Sequence, residues 1–158
     1  MSRRALLACT AVVVLLAGCS STVPTTAATH ATDPVCADVV LSTPDELSGL
    51  PRRDTNAQAT TAWGEPDAAI VLRCGVEPLG PTTDRCVTVE GPGGTSVDWV
   101  VKEGDTDSDD ADATFVTYGR VPAVEVTVPA AVRKLHSTSM LIDLGPAISK
   151  TAKQRSCL

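Results

Sequence analysis

Four cysteines, Cys36, Cys74, Cys86 and Cys157, constrain this chain more than any other feature. Two further cysteines lie before them, Cys9 in an expected N-terminal leader and Cys19 directly after that leader. An even number of cysteines in an exported domain predicts two disulfides, and four cysteines allow three pairings. A four-cysteine zinc site is the rival reading, but the chain has no C-x-x-C pair and the expected compartment is oxidising. No metal and no cofactor are therefore expected. Residues 75–84 contain Gly75, Pro78, Gly80 and Pro81 and read as a loop between two strands, with Cys74 and Cys86 at its feet. That placement pairs Cys74 with Cys86 and leaves Cys36 with Cys157, tying the ends of the domain together. Loop-closure entropy gives about 3 kcal/mol for the short loop and about 5 kcal/mol for the long one.

The leader explains the two excluded cysteines. Ser2, Arg3 and Arg4 make a basic start, and residues 5–17 are uncharged and mostly Ala, Val and Leu. Such a helix would rise roughly 20 Å against a hydrocarbon core of about 30 Å, too short to span and suited to a secretory signal. Ser-Arg-Arg-Ala-Leu-Leu is an incomplete twin-arginine match, so the general secretory route is expected. Leu16-Ala17-Gly18-Cys19 resembles the lipobox of bacterial lipoproteins. The resemblance implies cleavage after Gly18 and a diacylglyceryl group on the sulfur of Cys19. At least two acyl chains would then anchor the chain stably, where one would not. An ordinary signal peptide with a chance cysteine is the alternative.

Charge narrows the partners. Without Arg3 and Arg4, eleven basic and nineteen acidic side chains remain, a net charge of −8. Nucleic acid and anionic headgroups repel such a chain, so membrane attachment falls to the lipid on Cys19 and no nucleic acid is expected as partner. Residues 20–33 are Ser, Thr, Ala and Pro with little apolar mass. With Cys19 they predict a disordered tether reaching about 20 Å, with His30 in solvent. Residues 34–158 are then the single folded domain, and residues 1–18 the signal peptide.

Within that domain the pattern predicts an α+β fold: an antiparallel sheet of about five strands flanked by N-terminal and C-terminal helices and stapled by disulfides. Cys36, Val39 and Val40 have helical spacing, and Thr43-Pro44-Asp45-Glu46 reads as a second helix start with a capping box. Residues 52–61 are polar and carry no clear period, and Trp63-Gly64-Glu65-Pro66 reads as a turn. Strands are expected over residues 68–74, 86–90, 97–101, 114–118 and 123–128, where β-branched residues run together or alternate. Met140, Leu141, Leu144 and Ile148 share one helical face, capped by Ser137 or Ser139 and split by Gly145-Pro146.

Candidate chemistry is sparse. Residues 103–112 carry Asp105, Asp107, Asp109, Asp110 and Asp112, but an EF-hand loop starting at Asp105 would need glycine at Asp110 and glutamate at Val116. A solvated acidic loop is expected. His136 is the only histidine after residue 33, and no Gly-x-Ser-x-Gly setting supplies a nucleophile for it. Glu65, Asp98 and Glu125 could do acid–base work, but carboxylates facing Arg73, Arg85 or Arg120 more simply make cross-strand ion pairs. Arg73, Arg85 and Arg120 could together hold an anion, with Trp63, Trp99 and Tyr118 stacking on a sugar ring. With so few aromatics, the rings are expected to fill the core instead.

Several stretches taken together resemble a family of short exported actinobacterial proteins of unknown function, the DUF3515 family. They are Cys36-Ala37-Asp38, Arg52-Arg53, Trp63-Gly64-Glu65-Pro66, Val71-Leu72-Arg73-Cys74-Gly75, Val97-Asp98-Trp99, and the run from Thr117-Tyr118-Gly119-Arg120 through Val121-Pro122-Ala123-Val124-Glu125-Val126. The resemblance spans about residues 34–157 and implies an envelope protein. It implies no activity, cofactor or catalytic residue. The expected function is that of a non-enzymatic lipoprotein on the outer face of the cytoplasmic membrane that binds an envelope protein or wall component. The alternatives are a module binding an anionic sugar or muropeptide, and an envelope enzyme built on a carboxylate or His136.

Overall fold

The computed structural model describes residues 22–102, 111–136 and 139–158. The leader, Cys19, most of the acidic run and Ser137 lie outside the described residues. The architecture is α+β, with a large antiparallel sheet and few helices.

Helix α1 (Pro34–Leu41) covers the helically spaced Cys36, Val39 and Val40, with the Asp33 side chain accepting from the Val35 N–H and Pro34 in the first turn. The second helix is absent. Ser48 and Gly49 take φ of 53° and 78°, the left-handed pair that closes a two-residue hairpin. Glu46–Leu47 (β1) therefore folds back on Leu50–Arg53 (β2), and Thr43 caps α1 instead by donating to the Val40 carbonyl. The polar stretch after it yields β3 (Thr60–Trp63). The rest follow as β4 (Ile70–Val76), β5 (Cys86–Glu90), β6 (Ser96–Lys102), β7 (Ala113–Thr117), β8 (Arg120–Val121) and β9 (Ala123–Val128). Three short helices, α2 (Ala130–Arg133), α3 (Met140–Asp143) and α4 (Gly145–Ile148), precede β10 (Ala152–Lys153). Gly145-Pro146 splits the C-terminal helix as expected.

Eight strands rather than five form the main sheet, in the order β1-β2-β3-β4-β9-β7-β6-β5, and β8 pairs with β10 apart from it. Register then sorts the side chains onto two faces. Cys74 is opposite Val124, Phe115 is opposite both Val126 and Val101, and Trp99 is opposite Val87. All of these share one face, with the helices over it, and with Trp63, Ile70, Leu144 and Ile148 they form the main core. The other face carries Arg73, Glu125, Val116, Val100, Asp98 and Cys86 by the same register.

This topology overturns the expected disulfides. The bridges are Cys36–Cys74 and Cys86–Cys157, with Cα atoms 5.4 and 6.2 Å apart. Strands β4 and β5 follow each other in sequence, yet β9, β7 and β6 lie between them. Four strand spacings amount to roughly 19 Å, far beyond a disulfide's Cα span. Cys74 and Cys86 also project from opposite faces. Cys74 therefore takes Cys36 of α1, and Cys86 takes Cys157 from the chain's end.

Residues 22–31, expected as part of a free tether, lie on the sheet. The Val23 N–H donates to the Asp54 carbonyl at 2.9 Å, and its side chain is buried with Ala62 and Ala69. The His30 N–H donates to the Gly75 carbonyl at 2.8 Å, and Arg73 reaches the Thr26 carbonyl. Gly75 sits at φ 90°, and a Cβ there would collide with the His30 backbone. Gly75→Ala is therefore expected to lose about 2 kcal/mol or more in urea unfolding and to open residues 22–33 to proteases. Gly80→Ala, with open space around it, should be near neutral. Equal behaviour of the two variants would refute the packing of this segment.

Candidate functional site

The residues singled out from the sequence do not converge. Trp63 and Trp99 are fully buried, and Trp63 Nε1 donates to the Pro44 carbonyl at 2.9 Å. Neither ring is open to a ligand, as expected for a chain short of aromatics. Tyr118 is half-buried beside the Cys86–Cys157 bridge.

The three arginines separate. Arg73 pairs with Glu125, its direct cross-strand partner, through Nε at 2.9 Å and Nη2 at 2.7 Å to one oxygen. This is the cross-strand ion pair anticipated from the sequence. Arg85 precedes β5 in register with Val101, whose N–H donates to its carbonyl. Its side chain is therefore on the helix-covered face, while Arg73 is on the other, so the two cannot grip one anion. Arg120 is buried and donates to the carbonyls of Ser96 at 2.9 Å and Thr151 at 3.0 Å, with Ile148 at 3.4 Å. Burial lowers the Arg120 pKa below the ordinary arginine value, and the negative charge of Asp98 opposes that shift.

Asp98 is only 3 % exposed. It accepts from Thr88 Oγ1 at 2.7 Å and from the Cys157 N–H at 3.2 Å, and Lys153 Nζ stands 3.6 Å away. This carboxylate holds the C-terminal segment to the sheet. Glu65 is exposed and pairs with Arg53 at 3.0 Å. His136 follows α2, its backbone N–H donating to the Val132 carbonyl. Among the described residues, no two of His136, Glu65, Asp98 and Glu125 form a hydrogen-bonded pair able to pass a proton. Nor do three or more metal-ligating side chains gather there. Asp112, the last carboxylate of the acidic run, accepts from the Ala130 N–H.

Several hollows have ligand-like dimensions, and two of them bear on the residues above. One, of about 510 Å³, is lined by His30, Asp33, Val76, Glu77 and Val121, with His30 Nε2 3.0 Å from Glu77. The other, of about 390 Å³, lies between β5–β7 and helices α2 and α3. Arg85 and Arg133 flank it, and Val87, Val89, Val101 and Phe115 line it. Arg133 was missed in the sequence because nothing local marks it; it meets Arg85 only through the fold. The alternation Arg85, Val87, Val89 on one strand face was the readable half of the signal.

No helix among the described residues is long and apolar enough to cross a membrane. No curated protein and no solved structure matches the chain. The family described as protein of unknown function (DUF3515) matches residues 4–157, almost the whole length, and the chain belongs to that family.

Proposed function

We propose that this chain is a lipid-anchored protein of the cell envelope, held on the outer face of the cytoplasmic membrane through Cys19, and that it works as a non-enzymatic binding or accessory module. The observation that carries the reading is the pair of disulfides that close the fold on both faces of its sheet. Such bridges persist where thiols oxidise, in keeping with an exported chain. The basic start, short apolar run and Leu16-Ala17-Gly18-Cys19 supply the address. The polar groups inside the fold support the non-enzymatic part: Asp98 and Arg120 hold backbone and chain end, and Arg73 holds Glu125. A site stacking a sugar ring is disfavoured, because Trp63 and Trp99 are both at 0 % exposure.

Replacing Cys19 by serine tests the address. The variant is expected to leave the membrane fraction almost entirely, and the N-terminal peptide of the native protein to carry the mass of at least two acyl chains. Unmodified thiol at residue 19 in membrane-bound protein would refute it. Photo-crosslinking in intact cells tests the role: an envelope protein or wall component captured by the native chain, and lost when the chain is mislocalised by Cys19→Ser, is the expected result. Turnover of an envelope substrate by the purified chain would replace the reading with an enzymatic one.

A further inference from the structure

The N-terminal segment that lies on the sheet shortens the leash to the membrane. Val23 is buried against Ala62 and Ala69, and its N–H donates to the Asp54 carbonyl. Only Ser20, Ser21 and Thr22 separate it from Cys19. Four residue steps, fully extended, reach roughly 14 Å. A diacylglyceryl thioether starts that reach at the base of the headgroup layer, which is itself about 5–7 Å deep. Val23 then stands no more than about 7–9 Å above the headgroups, less than one helix's thickness of roughly 10–12 Å. A folded domain fixed at that height cannot stand clear of the bilayer. The loop of residues 54–59 is next to that point: Val23 bridges to Thr55, and the Thr25 N–H donates to Asn56 Oδ1 at 2.8 Å. The same loop runs into an apolar groove on α1, of about 390 Å³, which Gln58 and Ala59 line together with Pro34, Ala37, Val40 and Leu41. Leu41 ends the helix and is 79 % exposed.

We propose that this corner of the domain docks on the bilayer that holds the lipid. Residues 54–59 rest among the headgroups, and Leu41 with its groove meets apolar lipid surface at the headgroup–acyl boundary. This docking rests on the lipid-anchor reading and deepens it by naming the surface that faces the membrane. An exposed leucine beside the anchor point gains by leaving water. Alone it would not hold the chain, since even a whole acyl chain binds only marginally, so the short leash supplies the proximity. An excess of acidic groups gives the chain no attraction to anionic headgroups, and the contact is therefore apolar. The opposite sheet edge, β5, is six strand spacings from β2, roughly 28 Å across the sheet, and stays out of the membrane's reach.

The test places a photoreactive benzophenone residue at Leu41, Gln58 or Glu90 of the full chain in intact cells. All three side chains are exposed, and mass mapping of the two disulfides reports whether each variant folds. Irradiation is expected to give lipid adducts at positions 41 and 58 and none at position 90 on the far strand. With Cys19→Ser the adducts at 41 and 58 should be lost, and their persistence would overturn the docking. The same samples report the mass of the N-terminal peptide, which separates the two readings. An acylated peptide with no lipid adduct at 41 or 58 overturns the docking alone. An unacylated peptide overturns the anchor and the docking with it. Equal adducts at all three positions would mean that no one surface faces the membrane. A crosslink from 41 to a protein in place of lipid, a second copy included, would give the groove to that partner. Either result overturns the proposal.

Discussion

Removing either disulfide is expected to destabilise the chain by about 4 kcal/mol, and the two bridges should open in a fixed order under graded reductant. Cys36–Cys74 spans 38 residues and Cys86–Cys157 spans 71. Loop-closure entropy grows only with the logarithm of that span, so the two contributions differ by roughly 0.5 kcal/mol. Against a typical stability of 5–15 kcal/mol, the loss of one bridge is a large share, and it should lower Tm by on the order of 10–20 °C. Access sets the order. Cys36 and Cys74 are fully buried beneath α1, whereas Cys86 and Cys157 are half-buried beside an exposed chain end. Thiolate attack has to reach a sulfur atom, so Cys86–Cys157 opens first and Cys36–Cys74 only with global unfolding. Differential alkylation followed by peptide mass mapping reads this directly. Peptides linking Cys74 to Cys86, or early opening of Cys36–Cys74, would contradict both the pairing and the sheet order behind it.

That pairing shows where the sequence stops being informative. The strands that carry the core are legible one by one: Val124, Val126 and Val128 alternate with Ala123, Glu125 and Thr127, and Val97, Trp99 and Val101 alternate likewise. Each pattern records a local period and says nothing of which strand lies beside which. The run from Cys74 to Cys86 reads as a hairpin loop because neighbours in sequence usually pair. Here it crosses to the far edge of the sheet, and β9 returns to pair with β4. Short elements were lost for another reason. Strands β1 to β3 have two to four residues each, too few to display a period. Residues 22–31 read as a tether because composition counts side chains, whereas this segment is held by one buried valine and a few backbone hydrogen bonds.

The candidate site divides the same way. Arg73 with Glu125 was readable as strand polarity, and the tryptophans as core. Arg85 and Arg120 were readable only as charges. Arg85 owes its face to the β5–β6 register, and Arg120 owes its burial to contacts with Ser96, Ile148 and Thr151, all distant in sequence.

Asp98→Ala is expected to be among the most destabilising single substitutions, by about 3–5 kcal/mol, because it leaves the buried Arg120 without its counter-charge. Asp98 lies almost wholly out of water and holds three groups at once: Thr88 on the neighbouring strand, the Cys157 N–H, and Lys153 on β10. Its charge also raises the proton affinity of Arg120, which burial lowers. A guanidinium is charged at any pH the fold survives. A base whose folded pKa is lowered weighs on stability at every pH below that value and is relieved only in strongly alkaline solution. The burden of Arg120 is therefore constant across the physiological range, and Asp98 is what offsets it. Arg120→Met alone should also destabilise, since the Ser96 and Thr151 carbonyls lose their donors. In the double variant both charges are gone, so the loss should fall short of the sum of the singles by at least about 1 kcal/mol. A urea-unfolding double-mutant cycle measures that shortfall. Strict additivity, or a cost for Asp98→Ala below about 1 kcal/mol, would mean that the carboxylate is not the tie between the sheet and the chain's end. The two large effects should also be coupled: with Cys157 freed from Cys86, the segment delivering its N–H to Asp98 is loosened, and Asp98→Ala should cost less in that background than in the bridged protein.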